Sequence, residues 1–182
     1  MDYVSPEPEN EILQCCDENG KITVGKTRAE VHEQPLKFWH LTTGIYVVNP
    51  EGRILCSKRS EKLNQNPGRW QMAFGGHVKY SQTPAQNAVD ELDEEIGLKV
   101  SSADLYFLDT RKNPNFKHVS WLYAYVFDGK KSDIKFNDGE IEKVEWRDML
   151  EALQEGQKDP ANWASLCYLE AQDKINQWLK TK

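Results

Sequence analysis

The strongest periodicity in the chain lies between residues 84 and 96, where Ala85, Ala88, Val89, Leu92 and Ile96 recur at helical spacing. Thr83 stands where an N-cap belongs, Pro84 suits the first helical position, and Gly97 suits the left-handed residue that ends a helix. The pattern predicts a helix over Pro84–Ile96 with one apolar stripe turned to a core. Elsewhere the apolar residues gather in short, β-like runs. Ile12–Cys16 and Lys21–Lys26 flank Asp17-Glu18-Asn19-Gly20, a hairpin signal, and Thr27 is placed to cap a short helix over Arg28–Gln34. Trp39–Val48 and Arg53–Arg59 read as strands joined by the turn Asn49-Pro50-Glu51-Gly52. After the polar loop Ser60–Arg69, the stretch Trp70–Val78 is apolar but interrupted by Gly75-Gly76. Further strands are expected at Leu105–Thr110, Ser120–Phe127 and Ile141–Trp146, then helices at Asp148–Glu155 and Trp163–Leu179. Helices interleaved with strands, some joined by hairpins, predict an α+β architecture with a mixed sheet covered by helices.

Residues 1–10 are polar, with Pro6 and Pro8, and read as a loose tail; residues 11–182 show no repeat and no linker, so one domain is expected. Hydrophobic residues at 38%, with 6 Trp, 7 Tyr and 6 Phe, supply a core and exclude a disordered chain. The charge, 23 − 29 = −6, argues against nucleic-acid and anionic-membrane binding. An anionic substrate would need its charge neutralised by something else, and a divalent cation is the obvious agent. No apolar run is long enough to span a bilayer, and the acidic first twenty residues do not form a signal peptide. Cys15, Cys16, Cys56 and Cys167 lack zinc or redox spacing, so free thiols in a reducing cytoplasm are expected.

On the predicted helix, Glu91, Glu94 and Glu95 fall within an arc of about 100° beside the apolar stripe, with Asp90 at its border. A solvated acidic face would look the same from spacing alone. Gly75-Gly76 just upstream lets backbone approach closely, so carbonyl and carboxylate oxygens can converge. Such hard ligands suit Mg²⁺ or Mn²⁺.

The spacing Gly76-x5-Gln82-x7-Asp90-Glu91-Leu92-x-Glu94-Glu95-x-Gly97-Leu98 resembles the Nudix box, G-x5-E-x7-R-E-U-x-E-E-x-G-U, at seven of nine specified positions. The resemblance implies an α/β/α sandwich around a mixed sheet and Mg²⁺- or Mn²⁺-dependent hydrolysis of a diphosphate linkage. The substrate would be a nucleoside-diphosphate-type or related small molecule. Carried over by position, Glu91, Glu94 and Glu95 would hold metal and act in catalysis, and Gly76 would offer its carbonyl. Two positions depart: Gln82 and Asp90 replace a glutamate and an arginine that usually pair. An amide and a carboxylate can still hydrogen-bond. The departure leaves Asp90, Glu91, Asp93, Glu94 and Glu95 with no cation among them, and a non-catalytic ligand-binding module stays open as the alternative.

Outside the box, Thr27–His32, His40, Pro67-Gly68-x-Trp70, Gly75-Gly76-His77 and Pro160-x-x-Trp163 resemble the branch related to isopentenyl-diphosphate isomerase. That branch implies diphosphate-binding basic residues around Ser60–Arg69, with Arg59 and Lys62 the candidates and His77 lining the pocket. It also raises His32 and His40, with His77, as an uncertain metal site, and Asp90 as an uncertain addition to the acidic one. Isomerase activity is not expected. Gly75 stands where the isomerase has its cysteine, and Asn113–Leu122 contains no Asp or Glu to complete an acid–base pair. Trp163 and Cys56 are expected in the core. The oligomeric state stays open, a homodimer included.

Overall fold

The computed structural model describes residues 8–63, 65–137 and 139–181, so the first seven residues of the expected tail lie outside the described residues. In chain order the elements are β1 (Ile12–Cys16), β2 (Ile22–Thr27), α1 (Arg28–His32), β3 (Trp39–Val48), β4 (Ile54–Arg59) and β5 (Trp70–Gln71). Then come α2 (Pro84–Ile96), β6 (Tyr106–Asn113), β7 (His118–Val126), β8 (Ile141–Arg147), α3 (Met149–Lys158), β9 (Trp163–Ser165) and α4 (Leu169–Leu179).

β3 organises the sheet. It pairs in parallel with β7 from His40↔His118 to Val48↔Val126, and antiparallel with β1 through Cys15↔His40. β6 closes the β7 edge, while β4 carries β5 and β8. The sheet is therefore mixed, as the hairpins and long crossovers in the sequence require.

Successive β3 side chains point to opposite faces, and both faces are covered. Ile45 and Val47 pack with Ala88, Leu92 and Ile96 of α2. Tyr46 and Val48 pack with Met149 and Ala152 of α3 and Ala171 and Ile175 of α4. This is the expected helix–sheet–helix sandwich, and it explains why the Ile45–Val48 half of β3 reads as an unbroken apolar run rather than an alternating one.

Three expectations need correction. Trp163–Leu179 is not one helix. Trp163–Ser165 forms β9, parallel to β5 with Trp70↔Trp163, and α4 starts only at Leu169. Trp163 is a core residue at 5% exposure, as expected. The stretch Trp70–Val78 is a strand only at its start. Beyond Gln71 it touches the sheet through single bridges, Ile45↔Phe74 and Thr42↔His77, because the glycines turn the backbone away. The helix begun by Thr27 ends at His32, two residues before Gln34, which the following proline biases to extended backbone.

Candidate active site

α2 starts and stops where its sequence dictates. Thr83 and Gln86 form a reciprocal capping box, and Gly97 closes the helix at φ 69°. These fixed ends set the rotation of the acidic face. Glu91 and Glu95, one turn apart on the flank of the apolar stripe, are buried, at 7% and 6% exposure. Glu95 is therefore not on the exposed side of the helix. Its Oε1 accepts the Gly75 N–H at 2.6 Å, so the carboxylate is drawn under the glycine turn. Glu94 does face solvent.

Gly75 and Gly76 let this turn lie against both β3 and α2. A Cβ on Gly76 would stand 2.6 Å from Glu91 Oε1. The Gly76 carbonyl already accepts the Thr43 N–H at 2.9 Å, which leaves its second lone pair. Asn87, fully buried, ties the parts together. Its side-chain NH₂ donates to the His77 carbonyl at 3.0 Å and to Glu91 Oε1 at 3.4 Å, while its Oδ1 accepts from Thr43 Oγ1 at 2.7 Å. The sequence gave no reason to single out Asn87, because its role depends on β3 and the glycine turn meeting beside it.

The acidic face also has a cation, from the loop that leads into the helix. Lys79 Nζ lies 3.1 Å from Glu94 Oε1 and 4.0 Å from Glu11 Oε1. The Glu94 bond, with Glu94, Glu11 and Glu91 nearby, outweighs partial burial in sum and holds its ammonium above the ordinary lysine range. Gln82 Nε2 donates to Asp90 Oδ2 at 2.7 Å, so the two departures from the usual pattern still brace the loop on the helix. The buried carboxylates of Glu91 and Glu95 beside the Gly75-Gly76 backbone offer oxygen atoms, the type of ligand that Mg²⁺ or Mn²⁺ takes.

Gly75 and Gly76 line an open cavity of about 1210 Å³. All four histidines of the chain line it too: His32 from α1, His40 from β3, His77 after the glycine turn, and His118 from β7. His32, exposed at the end of α1, and His40, at the start of β3, bring ring nitrogens within 4.8 Å of one another and of His77. His118 was missed; β3–β7 pairing sets it directly opposite His40, with ring centroids 5.8 Å apart. Burial, reinforced by neighbouring cationic groups, pushes His40 down to about 3 and His77 well below its ordinary range. Burial also lowers His32 and His118. The cluster is therefore uncharged at neutral pH.

Of the basic candidates, Arg59 lines the cavity and is held by the Gln65 carbonyl at 3.2 Å and Gln71 Oε1 at 3.2 Å. Lys62 is exposed and does not line it. Arg28, not foreseen, does: it is the first residue of α1, nearly buried, and ion-paired to Glu11 at 2.6 Å. No cysteine is among the lining residues. All four thiols are buried and free, and Cys56 is pushed up to about 12 by burial.

Comparison with known proteins agrees with this fold. A family model described as the NUDIX domain matches residues 38–169. An uncharacterized Nudix hydrolase of Clostridium acetobutylicum is 31% identical over 100 residues, 53% of this chain, and the chain spans only 47% of that protein's length. An isopentenyl-diphosphate Δ-isomerase of Brevibacterium linens is 24% identical over 163 residues, 85% of each chain. Among solved structures, a protein of Deinococcus radiodurans superposes with a TM-score of 0.67 at 17% identity, over 92% of this chain and 98% of that one. At that identity the likeness speaks for the fold.

Proposed function

Because this chain belongs to the Nudix family, we propose that it is a pyrophosphohydrolase cleaving a diphosphate linkage in a nucleoside-diphosphate-type or related small molecule. The observation that carries the reading is the convergence of Glu91 and Glu95 on the Gly75-Gly76 backbone at the wall of a cavity that also holds Arg59. Glu91, Glu94, Glu95 and the Gly76 carbonyl would hold Mg²⁺ or Mn²⁺, which supplies charge neutralisation of the diphosphate and an activated water.

The chain's own residues do the rest. Arg59, at the cavity wall, binds a diphosphate oxygen, and His77, its proton affinity lowered by burial, lines the substrate's path. Asn87 fixes the Glu91 carboxylate and Gly75 fixes that of Glu95, so neither has to be ordered when substrate arrives. Glu91 or Glu95 takes the proton of the attacking water. Lys79 neutralises Glu94 until a cation replaces it there. The acid–base pair needed for isomerisation has no thiol to supply it at the cavity wall.

The test is phosphate release from a panel of diphosphate-linked compounds with Mg²⁺ and with Mn²⁺, on wild type, Glu94→Gln and Glu95→Gln. Turnover is expected in the wild type and a loss of about 100-fold or more in each variant. A Glu95→Gln enzyme with wild-type turnover would overturn the assignment. Absence of any turnover, with diphosphate compounds still bound, would favour the ligand-binding module. In parallel, incubation with isopentenyl diphosphate in deuterated water should show no incorporation above the enzyme-free rate.

A further inference from the structure

The histidines at the cavity invite a metal of a different kind from the carboxylates. Three neutral imidazoles with nitrogens within 4.8 Å of one another suit Zn²⁺ or Co²⁺. What they can do is decided by the hydrogen bonds already made to His77. Arg28 Nη1 lies 3.0 Å from His77 Nδ1. A guanidinium has donors only, so Nδ1 must be the acceptor and carries no proton. In a neutral ring the proton then sits on Nε2. That atom is 3.1 Å from His32 Nε2, which must accept it and carry its own proton on Nδ1. The direction of the chain is fixed: Arg28 donates to His77, and His77 donates to His32.

For His77 to ligate through Nε2, its proton would have to move to Nδ1, where an N–H would face the guanidinium, donor against donor. Arg28 is not free to step aside. Its Nη2 is ion-paired to Glu11 Oε2 at 2.6 Å, its side chain is only 10% exposed, and its backbone N–H is bonded to the Glu11 carbonyl at 2.8 Å. The Thr27–Glu30 capping box fixes the first turn of α1 on which it sits.

We propose that Arg28 is a positioning residue that locks the His77 tautomer, holds the histidine cluster as a one-way hydrogen-bonded chain and closes it to divalent metal. Any cation bound at this cavity is thereby confined to the carboxylates. The inference does not depend on diphosphate hydrolysis, and its test does not read turnover.

Co²⁺ is the probe, because nitrogen-rich tetrahedral Co²⁺ absorbs intensely in the visible whereas six-coordinate oxygen-ligated Co²⁺ does not. Titration of the wild-type protein should give no intense band. Arg28→Met keeps the packing of the side-chain stem but removes the donor. It should develop the band with an affinity at least 10-fold above any histidine-site binding in the wild type. Adding His40→Ala to Arg28→Met should abolish the gain. A measurement on the unaltered protein protects against misfolding of the variant: nitrogen-resolved NMR of the imidazoles should show His77 unprotonated at Nδ1 and protonated at Nε2. The proposal falls if wild type forms the tetrahedral band as tightly as Arg28→Met, or if His77 carries its proton on Nδ1.

Discussion

Gly75 and Gly76 are neighbours in the chain but are constrained by different partners. Gly75 has φ 131°, and a Cβ there would lie 2.4 Å from the Thr43 carbonyl oxygen, a backbone atom of β3 that cannot move alone. Gly76 would instead push on a carboxylate. Gly75→Ala should therefore cost stability, by about 3 kcal/mol or more in urea unfolding. Gly76→Ala should cost less stability but displace Glu91, weakening Mn²⁺ binding measured by calorimetry. Asn87→Leu strips three side-chain hydrogen bonds from a buried site and strands the Thr43 hydroxyl; a loss of about 2–4 kcal/mol is expected by the same unfolding assay. At this scale the sequence was informative where spacing carries the message, as with the glutamates and the glycine pair. It was silent on Asn87, Lys79 and Arg28, which meet His77, Glu94 and His77 across 10, 15 and 49 positions, contacts that only the tertiary fold makes.

α2 shows how an element becomes legible. Its cap, first-turn proline, apolar stripe and terminal glycine all point to one set of ends, and the structure has the same ends. Thr83→Ala removes the side-chain half of the capping box and should cost about 1 kcal/mol, read as a lower Tm. Because the cap sets the helix ends, frayed first-turn backbone should also loosen the Gln82–Asp90 brace and lower metal affinity with it. Residues 163–179 show the opposite case. Their apolar spacing suits a helix, but Trp163 belongs to a strand whose partner, Trp70, lies far upstream. The Cys167 N–H is bonded to the thioether sulfur of Met72 at 3.2 Å, so the segment between β9 and α4 is also held by the β5 region. No local pattern records a parallel pairing of that kind.

Taken as a whole, the molecule gathers its four histidines at one open cavity and lowers the proton affinity of each, which gives its stability a pH dependence. The groups facing His40 are His32, His77, His118 and Arg28, the last ion-paired to Glu11. Folded His40 titrates at about 3, against an ordinary value of 6.5. Above pH 6.5 neither the folded nor the unfolded chain holds a proton there, and the full stability is present. As pH falls below 6.5 the unfolded chain takes up protons that the folded one refuses, so stability declines toward pH 3. Each buried histidine contributes a slope of at most about 1.4 kcal/mol per pH unit. The carboxylates held low, such as Asp17 and Asp109, lose their contribution only at more acidic pH, so unfolding free energies between pH 6.5 and 4.5 isolate the histidines. His40→Gln should flatten the profile over that window.

The parallel pairing of β3 with β7 has a further consequence, in the order of assembly. The β1–β2 hairpin and α2 consist of neighbours in sequence, and forming them closes only short loops. The β3–β7 ladder joins residues 78 positions apart along its entire length, with α2 contained in the intervening loop. Closing so long a loop is entropically costly, and contacts of high sequence separation slow folding. His40 meets His118, and the Thr42 and Ser120 hydroxyls meet at 2.7 Å, only when this ladder is in register. A nascent chain that has not yet released residues 118–126 from the ribosome can hold α2 with its three glutamates ready, while the cavity beside them does not yet exist.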